Sequence, residues 1–167
     1  MGLCNDRSLA WGIARALADQ GAELGLSYQG EPLEKRVRPL AAELGSDILV
    51  DCDVSDMAAL DRTFEELKKR WDSLDFVVHA IGFSDKNELR GKFVDTSLDN
   101  FLLTMNISVY SFVAVAQRAK AMMKEGGALL TLSYYGAEKV IPHYNVMGLA
   151  KSALETSVKY LAADLGP

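Results

Sequence analysis

The chain has 167 residues, enough for one domain with a single substantial core. Hydrophobic residues make up 49% of it and charged residues 25%, which are ordinary globular values. The net charge is −5 with no basic stripe, which argues against a nucleic-acid partner. Two cysteines, Cys4 and Cys52, form no metal-ligand cluster, so we expect no metal and a reduced, intracellular protein. With no apolar run of about 18 residues and no secretory signal after Met1, we expect no membrane span.

The predicted elements of the first half alternate between helix and strand after a polar loop at residues 2–7. Apolar residues at helical spacing, stopped by Gly21, predict the first helix. In chain order we predict a helix at 8–20, a strand at 22–28, a helix at 31–44, a strand at 47–52, and a helix from Ser55, its expected N-cap, to about Trp71.

The second half continues the alternation, with a strand at 74–81, a long helix at 98–124 and a strand at 128–133. Pro142 then leads into a helix that carries Tyr144 and Lys151. Asn106 lies inside the long helix, where a buried asparagine would kink the helix or organise water. This alternation predicts an α/β fold with a doubly wound parallel sheet and one domain over residues 1–167. Ligands of such sheets bind at the carboxyl ends of the strands.

Tyr144 and Lys151 are the strongest candidates for chemistry. They are seven residues apart, and a helix turns roughly 100° per residue, so both side chains lie on nearly the same face. A phenol can donate a proton or a hydrogen bond to a developing oxyanion, and an ammonium can lower the pKa of that phenol and bind a cofactor hydroxyl. For an isolated pair, the simpler interpretation is an amphipathic helix with a solvated lysine. Tyr134, ten residues before Tyr144, adds a second phenol nearby.

The loop before the first helix has the composition of a phosphate-binding turn. Gly2 permits close approach of the backbone to a ligand, and the free N–H groups of a helix start can bind a pyrophosphate. Ser8 would either cap the helix or donate to a phosphate. The loop lacks the standard G-x-G-x-x-G pattern, so an ordinary turn with an N-cap is the simpler interpretation.

Residues at three other predicted strand ends suit an adenine dinucleotide. Gln29 follows the strand where the adenosine ribose is read, and the absence of an arginine there favours NADH over NADPH. Asp53 can accept from the adenine amino group while Val54 packs on the ring, although Asp53 could equally begin a helix. Gly82 permits close contact with a cofactor, and Phe83 lines the pocket or closes the core.

The assembled stretches resemble the bacterial enoyl-acyl-carrier-protein reductases, a divergent branch of the short-chain dehydrogenase/reductase superfamily. The resemblance covers essentially the whole chain, and its most specific part is LTLSYYGAEKVIPHYNVMGLAKSALE. Classical members of the superfamily use Tyr-x-x-x-Lys, but residue 148 is a glycine. The wider spacing from Tyr144 to Lys151, with Tyr134 upstream, looks like the enoyl-reductase variant.

The resemblance implies a Rossmann-type fold, NADH as cofactor and a trans-2-enoyl thioester on acyl carrier protein as substrate. Tyr144 would stabilise the enolate and Lys151 would bind the nicotinamide ribose, with Tyr134 beside the substrate. The other implied contacts are a phosphate loop at Gly2, Ser8 and Leu9, the adenosine at Gln29, Asp53 and Val54, the nicotinamide half at Ile81 and Gly82, and a substrate pocket at Phe83 and Met147. It also implies a cytoplasmic homotetramer that packs through helices 98–124 and 143–166.

The chain departs from the family at both ends, because it lacks the central first strand and the elements after the catalytic helix. We therefore expect an incomplete sheet and a fragment that is poorly stable and inactive alone. Two alternatives remain. One is a ketone or alcohol reductase of the same superfamily, which the absent Tyr-x-x-x-Lys disfavours. The other is a non-catalytic dinucleotide-binding module.

Overall fold

A computed structural model describes residues 1–166 of the chain. These residues divide into two compact units, and each is described by itself. Unit 1 comprises residues 1–80 and 121–130, and unit 2 comprises residues 81–120 and 131–166. The prediction of a single domain therefore stays a prediction.

Unit 1 holds the first three helices and most of the strand residues. Its elements are α1 (Leu9–Asp19), β1 (Gly25–Tyr28), α2 (Glu31–Glu43), β2 (Ile48–Asp51), α3 (Met57–Arg70), β3 (Phe76–His79) and most of β4 (Ala128–Thr131). Their order confirms the predicted alternation, with ends shifted by a few residues. One helix start was wrong, because the side chain of Asp56 rather than Ser55 caps α3 by accepting from the Ala58 N–H. Ser55 donates instead to Asp53.

Unit 2 contains the remaining helices, which are α4 (Lys86–Leu89), α5 (Leu98–Met105), α6 (Ser111–Ala119) and α7 (Asn145–Leu165). A π-helical turn at Asn106–Tyr110 separates α5 from α6, so the long helix predicted at 98–124 is interrupted and ends earlier. Asn106 begins this turn but is only partly buried, so the helix is distorted at this position without the buried asparagine that was considered there. Short 3₁₀ turns at Phe93–Asp95 and Tyr135–Ala137, like α4, were not predicted.

The sheet consists of two separate pairs of strands. β1 pairs with β2 in parallel, with Gly25 opposite Ile48, and β3 pairs with β4. Between them lies the short segment Met1–Leu3. The Met1 ammonium donates to the Val78 carbonyl at 2.6 Å, and the Leu3 N–H donates to the Ser27 carbonyl at 3.2 Å. Three residues thus link β1 to β3, where a full strand of a doubly wound sheet would run.

A cavity of about 410 Å³ adjoins this link in unit 1. Its lining is largely apolar and includes Ala14 of α1, Leu26 of β1, Phe64 and Leu67 of α3 and Val77 of β3. Backbone groups of Met1 and Leu3 bond to Val78, Ala80 and Ser27 beside this space.

The helical stretch Leu98–Ala119 is long and apolar enough to cross a membrane by length and composition, which the sequence analysis did not anticipate. A core helix of a soluble protein passes the same test, and this stretch buries the polar side chains of Asn100, Thr104, Ser108 and Ser111 against its own unit. The signal is therefore weak evidence for a membrane.

Candidate active site

Tyr144 lies at the entrance of α7, in a backbone of unusual geometry. The residues on either side of it, His143 and Asn145, both have positive φ values, of 62° and 39°. The ring of Tyr144 meets that of Tyr134 edge to face, with centroids 4.9 Å apart. The structure thus brings together the two phenols that the sequence singled out. Tyr134 itself is half exposed, as expected for a residue that faces a ligand.

Two glycines in unit 2 make room for the Tyr144 ring and the turn beside it. A Cβ atom on Gly136 would lie 2.7 Å from Tyr144 Cε1 and closer still to Cδ1. A Cβ atom on Gly148 would lie 2.8 Å from the Gly136 carbonyl oxygen. The turn Tyr135–Ala137 therefore packs directly on α7 at the position where classical members of the superfamily place their lysine, and no side chain fits there.

The electrostatics of Tyr144 differ from the expectation. Burial raises the pKa of the Tyr144 phenol, and the neighbouring phenol of Tyr134 raises it further. The Lys151 ammonium, which could lower this pKa, is not among its causes. The phenol consequently stays protonated at neutral pH and is a hydrogen-bond donor rather than a base.

Lys151 is buried in unit 2, with 8% of its surface exposed. Its Nζ donates to the Leu132 carbonyl at 2.7 Å, and burial lowers the pKa of the amine. A Cβ atom on Gly82 would lie 3.6 Å from this Nζ and 3.2 Å from Met147 Cε. Gly82, Met147 and Lys151, which were predicted separately, therefore meet in one place, and the absence of a side chain at Gly82 lets Met147 and Lys151 approach its backbone.

Ser108 joins this cluster, although the sequence analysis assigned it no role. Its hydroxyl is bonded to both the N–H and the carbonyl of Phe83, at 3.0 and 3.1 Å, and lies 3.7 Å from Met147 Sδ. The π-helical turn aims this serine at the chain after β3, which agrees with the tendency of such turns to occur at functional sites. Phe83, next to Ile81 and Gly82, leaves half of its side chain exposed, so it does not close the core.

Two asparagine side chains, which the sequence analysis did not single out, hold the segment after Phe83 in place by hydrogen bonds. The side-chain amide of Asn145 donates to the carbonyls of Glu88, Leu89 and Gly91 at 2.9–3.2 Å. Asn100 accepts from the N–H of Asp85 at 2.9 Å within a buried polar network, completed by Ser84 and Thr104. These contacts join residues up to 57 positions apart, so local pattern could not disclose them.

In unit 1, the predicted phosphate loop is arranged as a helix cap. Ser8 Oγ accepts from the Trp11 N–H at 3.2 Å and donates to the Asn5 carbonyl at 2.8 Å. Of the two roles considered for Ser8, capping is the one present. Gly2 has a φ of 89°, which a side chain would strain, and Leu9 is largely exposed at the helix start.

The predicted adenosine residues lie together at the ends of β1 and β2. Gln29 donates to Asp53 at 2.9 Å, and Asp51 accepts from the Gly30 N–H at 2.8 Å. Burial alone would raise the pKa of Asp53, but hydrogen bonds from Ser55 and Gln29 outweigh it and hold the pKa below its usual value. Asp53 is therefore an ionised acceptor. Val54 is buried, with 5% of its surface exposed.

The chain matches the profile of the family described as Enoyl-(Acyl carrier protein) reductase over residues 2–167. It belongs to this family. The resemblance inferred from the sequence is thereby confirmed.

Curated relatives agree with the family assignment. The chain is 63% identical over 166 residues to "Enoyl-[acyl-carrier-protein] reductase [NADH] 1" of Rhizobium meliloti, covering 99% of this chain and 61% of the relative. It is 52% identical to "Enoyl-[acyl-carrier-protein] reductase [NADH] FabI" of Bacillus cereus, covering 99% of this chain and 66% of the relative.

Solved structures of the family have the same fold over the whole chain. The reductase of Anaplasma phagocytophilum in complex with NAD is similar with a TM-score of 0.97 and 62% identity, over 99% of this chain and 63% of that one. The Bacillus cereus reductase with NADP+ and indole naphthyridinone has a TM-score of 0.97 and 50% identity, over 99% of this chain and 65% of that one. The predicted α/β fold is confirmed, and the chain spans slightly less than two thirds of these relatives.

Proposed function

We propose that this chain carries cofactor-binding and catalytic residues of an NADH-dependent enoyl-acyl-carrier-protein reductase of fatty acid biosynthesis. The observation that carries the proposal is the arrangement in unit 2, where a protonated, half-buried phenol at the N-cap of α7 and a buried lysine within α7 accompany the exposed glycine Gly82. Membership of the family supports the same activity.

The residues present fit a nicotinamide dinucleotide. The exposed backbone of Gly82, beside the Lys151 amine, suits the nicotinamide ribose, whose hydroxyls can accept from the ammonium. Ile81 precedes Gly82 in the sequence. In unit 1, the start of α1 offers N–H groups to a pyrophosphate next to Gly2, Ser8 and Leu9, and the ionised Asp53 offers an acceptor to an adenine amino group. The bound dinucleotide supplies a hydride to C3 of the trans-2-enoyl thioester.

Tyr144 stabilises the negative charge that develops on the thioester oxygen. Its raised pKa keeps the phenol protonated, so it can donate to an enolate oxygen without itself ionising. Lys151 holds the ribose and adds positive charge nearby. Tyr134 packs against the Tyr144 ring and limits its movement, while Phe83 and Met147 supply apolar surface for the acyl chain.

The ketone or alcohol reductase alternative is less compatible with the site. That chemistry in the superfamily uses Tyr-x-x-x-Lys, and the lysine would have to stand at Gly148. A Cβ atom there would lie 2.8 Å from the Gly136 carbonyl oxygen, closer than ordinary contact allows. A non-catalytic module would have no need of a buried lysine and a protonated phenol at the start of one helix.

NADH is preferred over NADPH because the strand end at Gln29 has an amide bonded to the Asp53 carboxylate rather than an arginine for a 2′-phosphate. A relative crystallised with NADP+ makes the direct comparison worthwhile. The binding of NADH and of NADPH can each be measured by fluorescence transfer from tryptophan to the bound cofactor. Tighter binding of NADPH than of NADH would contradict this preference.

The deciding experiment follows the loss of NADH absorbance with a trans-2-enoyl thioester. It uses this chain and a longer form that carries the additional residues of the relatives. We expect Tyr144→Phe to lower kcat by about 100-fold, as for loss of one oxyanion donor. We expect Lys151→Ala to weaken NADH binding. Lys159→Ala, at an exposed position of the same helix, is the matched control. Turnover of ketones but not of enoyl thioesters by the longer form would contradict the proposal.

We infer a cytoplasmic homotetramer that acts on acyl-carrier-protein-bound substrate. Exposed apolar side chains on two helical stretches of unit 2 support association, among them Leu98, Leu102, Tyr110 and Tyr160. Light scattering tests this: Leu102→Lys should lower the measured mass, whereas Val140→Lys, on an exposed loop, should not. If both variants had the same mass as the parent, the exposed apolar side chains would no longer support association into a tetramer.

A further inference from the structure

The Tyr144 ring is held by packing. Within the part of the chain that the structure describes, its hydroxyl makes no hydrogen bond. Contacts instead come from the edge of Tyr134 and from the backbone of the turn Tyr135–Ala137. The orientation of a hydrogen-bond donor that has no partner of its own depends on the shape of the space around its ring.

The backbone of Gly136 lies directly against the ring of Tyr144. A Cβ atom there would come within 2.7 Å of Tyr144 Cε1, a distance that real Cβ contacts do not show. The φ of Gly136 is not positive, so alanine suits its backbone and only the ring of Tyr144 stands in the way. A glycine at this position is therefore required by a side chain, not by the turn.

Contacts with α7 hold the turn Tyr135–Ala137 in place. Ser152 on α7 donates to the Ala137 carbonyl, and the Gly136 carbonyl lies close over Gly148. Lifting the turn away from α7 would break the Ser152 hydrogen bond, and moving it along the helix would drive the carbonyl into α7. The Tyr144 side chain, which can rotate about its own torsions, is the softer of the two partners.

We propose that Gly136 is a positioning residue, whose missing side chain fixes the direction in which Tyr144 presents its hydroxyl. Gly148 takes part by letting the turn approach α7. The consequence for the reaction rests on the proposed function, in which Tyr144 donates to the enolate. The packing itself does not depend on that function and can be measured without turnover.

A double-mutant cycle in thermal unfolding tests the packing. Gly136→Ala should lower the Tm when Tyr144 is present, and this loss should vanish in the Tyr144→Ala background, where no ring occupies the space. Gly91→Ala is the matched control, since a Cβ there would lie 3.5 Å from its nearest neighbour, an ordinary contact. An equal loss of Tm from Gly136→Ala in both backgrounds would overturn the proposal.

Tyrosine ionisation, followed by absorbance at high pH, gives a second readout. Burial raises the pKa of Tyr144, so a ring displaced towards solvent should titrate at lower pH. The difference between each protein and its Tyr144→Phe version isolates this phenol. We expect Gly136→Ala to shift the titration downwards and Gly91→Ala to leave it unchanged. An unchanged titration in Gly136→Ala would also overturn the proposal.

The kinetic arm uses the longer form that reduces enoyl thioesters. Misplacement of a reacting group by about 1 Å costs on the order of 100-fold, so Gly136→Ala should lower kcat by about that factor and leave the KM for NADH nearly unchanged. If the parent reduces no enoyl thioester, the proposed function fails, and the unfolding and ionisation results still decide whether Gly136 positions the ring.

Discussion

Lys151 combines two influences that oppose each other at a single amine. Burial lowers its pKa because a desolvated ammonium is costly, while the Leu132 carbonyl accepts a hydrogen bond that stabilises the same ammonium. Among the described residues the Leu132 carbonyl is its one hydrogen-bond acceptor, which leaves two of its three N–H bonds for other partners.

The two thiols should differ sharply in reactivity. Burial raises the pKa of Cys52, which is 5% exposed, so its thiolate is scarce and shielded, whereas Cys4 is partly accessible. We predict that a disulfide reagent labels Cys4 rapidly and Cys52 only after unfolding. Cys4→Ser should remove the fast phase, and a fast phase that persists in this variant would contradict the assignment.

At the residue scale, the sequence was informative where periodicity and residue type coincide. Tyr144 and Lys151 were predictable as a pair from residue type and a spacing of about two helical turns, although α7 begins only at Asn145 and Tyr144 is its N-cap residue. Ser108 and Asn145 were not, because a serine in an apolar helix and an asparagine at a helix start each have commoner uses. Their partners, Phe83 and the carbonyls at 88–91, come from distant parts of the chain.

Among the elements, helix α3 shows how a cap decides a helix start. Asp56 accepts from the Ala58 N–H at 2.9 Å, and Ser55 is directed to Asp53 instead. We predict that Asp56→Ala lowers the free energy of unfolding by about 1 kcal/mol and that Ser55→Ala has a smaller effect. Urea denaturation measures both. The reverse order would restore Ser55 as the cap.

Asn145 anchors the segment after α4, so its substitution should loosen that segment selectively. Asn145→Gly keeps the backbone geometry and should cost about 2 kcal/mol through its lost hydrogen bonds. Asn145→Ala should cost about 1 kcal/mol more, because alanine resists the left-handed region.

Hydrogen exchange of the amides at 86–97 measures this loosening directly. Asn87→Ala is the matched control, because it removes an exposed asparagine side chain from the same segment. Similar exchange in the Asn145 and Asn87 variants would contradict the anchoring role.

Element types were predictable along most of the chain because strand and helix patterns alternate with clear stops. The interruption of the long helix was only partly predictable: Asn106 marked the place, but an extra residue per turn reflects the fit of Ser108 against Phe83. The separation of the strands into two pairs depends on neighbours in space, which local propensity does not encode.

For the molecule as a whole, the buried Met1 amino group makes the stability of this 167-residue chain depend on pH. Burial lowers its pKa from 8.0 to about 6. Between pH 6 and pH 8 the unfolded chain binds more protons at this group than the folded chain does. The contribution of the neutral amine to the free energy of unfolding is therefore fully present above pH 8 and is lost as the pH falls through about 6. The difference amounts to about 3 kcal/mol.

Urea denaturation from pH 5.5 to 8.5, followed by the fluorescence of buried Trp11, should show this rise in stability. N-terminal acetylation removes the charge but keeps an N–H that can donate to Val78, so it should flatten the dependence. An equally steep dependence in the acetylated chain would assign it to other groups.

The contact between Gly136 and Gly148 bears on how this branch of enzymes can change. Replacing Gly148 by lysine would restore the commoner motif on paper, but its first side-chain atom would collide with the Gly136 carbonyl. The turn Tyr135–Ala137 would have to be rebuilt before that lysine gained anything. A Gly148→Lys substitution alone would therefore clash with the turn, and a designer who wants the shorter spacing must change the turn as well.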